Sequence, residues 1–152
     1  MSKHAFQDAY PDKLSHCYGC GRLNADGLQL KSYWDGDETV ARFRPRPSHM
    51  AIPGYVYGGL LASLIDCHGT GSASAAASRE RPGEAPCRFV TASLHVDYLR
   101  PTPMDTELEI RGTIKEMKAK KVVVAATITA NGQLCAQGEV VAVQMPANML
   151  DG

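Results

Sequence analysis

Pro53-Gly54-Tyr55-Val56-Tyr57-Gly58-Gly59-Leu60-Leu61-Ala62-Ser63-Leu64-Ile65-Asp66 is the stretch on which the fold turns. Two glycines open an apolar run, and a carboxylate falls eight residues after Gly58. Leu60, Leu61, Leu64 and Ile65 are followed by Ala73, Ala75, Ala76 and Ala77, so the chain is apolar or small nearly all round to about Ser78. That pattern predicts one long helix buried on most sides. Gly69 and Gly71 are poor helix formers and mark a kink or the close approach of another backbone. Arg79-Glu80-Arg81-Pro82-Gly83 is its stop. Between Pro47 and Ser78 the ionisable side chains, tyrosines and one cysteine aside, are His49, Asp66 and His68. A charge in an apolar segment costs several kcal/mol unless it is paired, solvated or used. Asp66 therefore requires a role.

Strands flank this helix on both sides. Leu28, Leu30, Ser32 and Trp34 alternate with polar neighbours, Asp35-Gly36-Asp37 is a turn, and Thr39 to Phe43 returns as the second arm of a hairpin. Beyond the helix, Val90, Ala92, Leu94, Val96 and Tyr98 alternate with Thr91, Ser93, His95 and Asp97. Leu108, Ile110 and Ile114 form the next strand. Val122 to Ala130 is β-branched and reads as a central strand. Asn131-Gly132 is a hairpin signal, and Leu134 to Val143 follows it. The order is β-β-α-β-β-β-β. Short connections favour antiparallel pairing, so the class is α+β, one long helix against one curved sheet of about six strands.

Composition excludes several classes. The 152 residues amount to one domain, 1–152, whose first 26 residues are irregular. Sixteen basic residues balance sixteen acidic ones, which argues against nucleic acid or an anionic membrane as partner. No apolar run reaches the ~20 residues of a membrane span. The first residues lack the apolar core of a signal peptide, so the expected address is cytoplasmic. Five cysteines, an odd number, do not read as a disulfide framework.

A helix N-terminus presents unpaired N–H groups and the positive end of the dipole. With Gly58 and Gly59 there, no Cβ blocks a ligand from those donors, which is what an oxyanion hole for a carbonyl requires. Asp66 lies about 12 Å further along the axis, at ~1.5 Å per residue. One carbonyl cannot touch both within a single chain. If both act, Gly58 of one chain faces Asp66 of another across a two-fold dimer.

At these residues the chain resembles the hotdog-fold acyl-CoA thioesterase superfamily, of the phenylacetate-pathway and thioesterase-superfamily-member types. The segment from Pro53 to Asp66 is similar to that family's Pro-Gly-x-Val-His-Gly-Gly-(six residues)-Asp. Val90 to Pro103 is similar to its threonine-bearing strand that ends in Tyr-x-Arg-Pro. Cys17-Tyr18-Gly19-Cys20-Gly21 and Asn24-Ala25-Asp26-Gly27-Leu28 resemble an N-terminal Cys-x-x-Cys-Gly…Asn-x-x-Gly-Leu present in a subset. The resemblance implies a hotdog fold, thioester hydrolysis and a homo-oligomer, dimer or tetramer, with acyl-CoA as substrate and no cofactor. It implies that the Gly58 N–H holds the thioester oxygen, that Asp66 is general base or nucleophile, and that Thr91 orients the water or the carboxylate. Tyr57 and Gly59 border the substrate. The departure is Tyr57, which stands where the family has histidine and is effectively never cationic near neutral pH. Two other functions compete: a non-catalytic acyl-CoA-binding module, for which Tyr57 is the sign, and a hotdog hydratase or dehydratase, which requires a well-placed histidine.

The remaining polar residues have plainer readings. His68 lies about 200° round the helix from Asp66 and is structural. His95 and Asp97 are surface residues. Lys118, Lys120 and Lys121 flank a turn that is either solvated or a seat for coenzyme A phosphates, and Arg100 is similarly open. Cys17-x-x-Cys20 invites zinc, with His16 and His49 as possible further ligands, but no second Cys pair or His-x₃-His completes a tetrahedral set. Its glycines argue for a loop rather than a redox helix. The expectation is a structural loop with neither metal nor disulfide.

Overall fold

The computed structural model describes residues 2–151; Met1 and Gly152, the ends of the expected 1–152 domain, lie outside the described residues. Helix α1 runs unbroken over Gly58–Glu80. Six strands follow the expected order around it: β1 Ser32–Asp35, β2 Glu38–Phe43, β3 Phe89–Tyr98, β4 Leu108–Met117, β5 Lys121–Ala130 and β6 Gln133–Gln144. They form one antiparallel sheet in the order β1-β2-β4-β5-β6-β3. This is the hotdog arrangement, and α1 packs across β3, β4, β5 and β6.

Local chemistry explains the elements. Asn131 and Gly132 both take positive φ, 53° and 75°, as the two-residue turn between β5 and β6 requires. Leu64 and Ile65 on α1 and Val122, Val124, Ile128 and Val140 on the sheet are wholly buried. Each such side chain contributes roughly 1.5–3 kcal/mol. Gly69 marks the close approach of a side chain, not of another backbone: a Cβ there would stand 2.5 Å from Cγ2 of Val140, and α1 continues through it. Among the described residues no helix is long and apolar enough to cross a membrane.

Two sequence expectations require correction. The segment Leu28–Lys31 alternates as read, with Leu28 and Leu30 buried, but it is not part of β1. The Leu28 and Leu30 N–H groups donate instead to the Tyr18 and Gly19 carbonyls, at 2.8 and 3.0 Å. In β3, one continuous alternation does not hold. Thr91 pairs with Ala142 and Ser93 with Val141, which leaves Ala92 as the extra residue of a bulge. The bulge shifts the phase by one. Phe89 and Thr91 before it, and Val96 and Tyr98 after it, all meet the core or α1.

The first 26 residues hold two 3-10 turns, Phe6–Ala9 and Asp12–Leu14. They pack down tightly. Phe6 meets Trp34 edge-on at 5.5 Å, and the Arg79 guanidinium lies 3.5 Å over the Trp34 ring.

Candidate active site

Most of α1 is buried, but its first half keeps one open strip. Gly58, Gly59, Ala62, Ser63 and Asp66 are half-buried, three or four residues apart, while positions 67–74 are wholly enclosed. Asp66 lies at the far end of this strip. Its Oδ1 accepts a hydrogen bond from the Thr91 hydroxyl on β3. Thr91 itself is exposed, so the pair opens to solvent along the sheet edge.

The near end of the strip is the helix N-terminus. Among the described residues no side chain caps it. The Tyr57 carbonyl accepts from Leu60, at 3.0 Å, and Leu61, so the N–H groups of Gly58 and Gly59 keep their donor capacity. Tyr98 hydroxyl donates to the Gly58 carbonyl at 2.7 Å. A Cβ on Gly58 would meet the Tyr98 ring at 3.3 Å. The Tyr57 ring folds back on Gly59, where a Cβ would come within 2.6 Å of its Cζ. Gly58, Tyr98, Arg100 and Thr102 line one open groove of about 370 Å³. Arg100 is held there by Gln133 Oε1 at 3.0 Å.

The chain thus carries two groups of candidate residues, Asp66 with Thr91 and Gly58 with Tyr57, Gly59, Tyr98 and Arg100. The eight-residue spacing sets them about 12 Å apart. Lys118, Lys120 and Lys121 join neither. Their turn lies at the other end of α1, where Arg81 donates to the Ala119 carbonyl. Lys118 and Lys121 pair with Glu116 at 3.1 and 3.8 Å. Tyr98 was not singled out from sequence; its signal was its place in the Tyr-x-Arg-Pro run.

Two residues beyond Asp66, His68 is fully buried and bonded at both ring nitrogens. Ser32 Oγ lies 2.8 Å from Nδ1 and Thr39 Oγ1 2.9 Å from Nε2. Hydroxyl protons fix the direction. Ser72 donates its proton to the His68 carbonyl, so it accepts from Thr39, and Thr39 must accept from Nε2–H. Nδ1 then accepts from Ser32. The neutral ring is fully used, and burial pushes its pKa down to about 4.

The cysteines include a grouping that the sequence reading did not contain. All five are free thiols, and Cys67 on α1 joins Cys17 and Cys20 in one cluster. The three sulfurs lie within 4.8 Å of one another, with Cys17 and Cys67 Sγ 3.7 Å apart. Thiol donors from Cys20 and Cys67 hold Cys17 well below the usual thiol range, and the same sharing, led by Cys17, pushes Cys20 up to about 11. His49 is engaged elsewhere, its Nδ1 accepting from the Arg46 N–H at 2.9 Å. The ligand count made from sequence omitted Cys67, whose only signal was its place beside Asp66.

A family model described as the thioesterase superfamily matches residues 53–137, which include both groups of candidate residues. The chain belongs to the thioesterase superfamily. Its fold is similar to that of a superfamily protein from Shewanella loihica PV-4, at 55% identity, 90% coverage of this chain, 100% of that chain and a TM-score of 0.70. The PaaI protein from the phenylacetic acid degradation operon of E. coli shares the fold at 15% identity, covering 78% of this chain and 81% of that one, with a TM-score of 0.65. A Streptococcus mutans UA159 protein solved with acetyl-CoA bound shares it at 16% identity, 76% and 88% coverage and a TM-score of 0.63. A search of the curated proteins found no match.

Proposed function

We propose that this thioesterase-superfamily protein hydrolyses acyl-CoA to a free acid and coenzyme A, at sites shared by two chains. The observation that carries the reading is the Thr91–Asp66 hydrogen bond on the open strip of α1. A second α1 packed along that strip brings Gly58 of one chain to Asp66 of the other. The ten-residue β3 edge supports such a partner. Its residues Thr91 to His95 and Asp97 to Tyr98 are exposed, and Leu94, Tyr98 and Leu99 are apolar or aromatic. Long unprotected edges of this kind pair with another strand.

In this scheme the Gly58 N–H polarises the thioester oxygen. Asp66, oriented by Thr91, removes a proton from water as the water attacks the carbonyl carbon, or attacks that carbon itself to give an acyl-Asp66 anhydride that water then hydrolyses to the free acid and the carboxylate. The tetrahedral intermediate collapses, the C–S bond breaks, and coenzyme A leaves as the thiol after protonation. Arg100 beside Gly58 is suited to a phosphate of coenzyme A. Lys118, Lys120 and Lys121 lie at the other end of α1, two of them paired with Glu116, and fit the solvated-turn reading better. The neighbour with acetyl-CoA bound supports this ligand class.

A second reading, acyl-CoA binding without turnover, is favoured by Tyr57, whose ring lies against Gly59 where the family has histidine. Thiol release from a panel of acyl-CoAs, followed with Ellman's reagent, separates the two: release supports hydrolysis, and saturable binding without release supports the binding module. Sharing between chains has its own test. Gly58→Val and Asp66→Asn chains, each inactive, are co-expressed. The mixed dimer then holds one site with both groups and one with neither, so activity returns in part. An active monomer by light scattering refutes the shared site.

A further inference from the structure

Three thiols from two distant parts of the chain meet beside Asp66, and the hydrolytic scheme uses none of them. We propose that Cys17, Cys20 and Cys67 bind one zinc ion as thiolates, with water in the fourth position. Four observations support this.

The first is number: a disulfide uses two sulfurs, and this cluster holds three within 4.8 Å. The second is spacing. Tetrahedral zinc with Zn–S bonds of about 2.3 Å sets its sulfurs about 3.8 Å apart. Cys17 and Cys67 Sγ stand at 3.7 Å, whereas a disulfide closes to about 2.05 Å.

The third is preorganisation. Gly21 N–H donates to the Cys17 carbonyl at 2.8 Å and closes the Cys-x-x-Cys turn. A Cβ on Gly19 would overlap Cys67 Sγ, and one on Gly21 would stand 2.5 Å from the Cys17 nitrogen. Gly19 therefore lets the loop lie against the helix, and Gly21 lets the loop close on its own backbone. Tyr18 and Gly19 carbonyls are tied down by Leu28 and Leu30, which anchors the loop.

The fourth is charge. Zinc with three thiolates carries one net negative charge, and the Arg88 guanidinium, whose Nη2 donates to Cys20 Sγ at 3.9 Å, opposes it. Cys20 and Cys67 are buried and Cys17 is half-exposed, so the fourth ligand enters from the Cys17 side. All three sulfurs bind as thiolates, so the thiol protons still present pass to water, with no change of oxidation state. The effect of binding is to clamp the N-terminal loop to α1 at the residue next to Asp66.

The test uses the full chain, tag removed, purified without added metal or chelator, with metal measured by elemental mass spectrometry. About one zinc per chain is expected, falling below about a tenth in Cys67→Ser and Cys17→Ala and unchanged in Cys87→Ser and Cys135→Ser. Cobalt added to the zinc-stripped protein should give a near-ultraviolet thiolate charge-transfer band that Cys17→Ala lacks, at wild-type circular dichroism. Cys17 is half-exposed, so that variant carries the test if Cys67→Ser does not fold. Zinc-free protein that takes up no cobalt overturns the proposal, as does full zinc in Cys17→Ala or a Cys17–Cys67 disulfide in protein kept under reductant. None of these readouts depends on thioesterase activity.

Discussion

Asp66 and His68 stand two residues apart on one helix and have opposite surroundings. Asp66 is half-exposed, has the Thr91 hydroxyl as its side-chain partner and faces an open sheet edge. His68 is sealed, with a hydroxyl on each ring nitrogen and a third hydroxyl completing the chain. A rotation of about 200° separates a group left with spare hydrogen-bonding capacity from one with none. Spare capacity within reach of solvent is what a reacting group needs. Full satisfaction in the core is what a structural polar group needs.

Substitution at each position can break that comparison. Asp66→Asn keeps the shape and loses the basicity, so kcat should fall by roughly 10²–10⁴, with little change in KM or in urea midpoint. Turnover near wild type on the best substrate would reverse the assignment of the two residues. His68→Leu should do the converse. It leaves Ser32 unpartnered and should cost about 2–4 kcal/mol in urea unfolding, while the folded fraction keeps its turnover. A loss of kcat without loss of stability would make His68 the functional partner.

Acid sharpens the same contrast. The His68 pKa is depressed from 6.5 to about 4, so the unfolded chain binds its proton first. Its contribution is complete above pH 6.5 and is lost as pH falls through about 4, on the order of 3 kcal/mol in all. Unfolding free energy measured from pH 7 to pH 4 should decline less steeply in His68→Leu than in wild type. An identical slope would mean that the ring titrates normally.

Smaller effects test the two groups of candidate residues themselves. Thr91→Ala should lower kcat by about tenfold, since it removes the group that orients Asp66 and not the base. Rescue by Thr91→Ser, at unchanged stability, would tie the loss to the hydroxyl. Tyr57→Phe should change kcat by less than about threefold if the ring only shapes the approach to Gly59. A larger loss would bring the phenol into the chemistry.

Much of this was readable beforehand. The helix from Gly58, the Asn131-Gly132 turn, the strand order and the spacing of Gly58 from Asp66 all rest on short-range periodicity, and a local pattern carries them. Thr91 as the partner of Asp66 came from the family resemblance, because plain alternation sets it on the wrong face. Ala92 as a bulge carries no signal in residue types: an alanine fits a paired position as well as an unpaired one.

The sequence by itself determined the elements, their order, the long buried helix and the one carboxylate on it that called for a role. Tertiary structure alone decided that β3 crosses to the far edge beside β6, that the bulge turns Thr91 toward Asp66, that Ser32 and Thr39 enclose His68, and that Cys67 completes the cluster of Cys17 and Cys20. Each of these joins residues 25 or more positions apart. The energy that selects such contacts comes from closing the core as a whole, and no window of a few residues contains it.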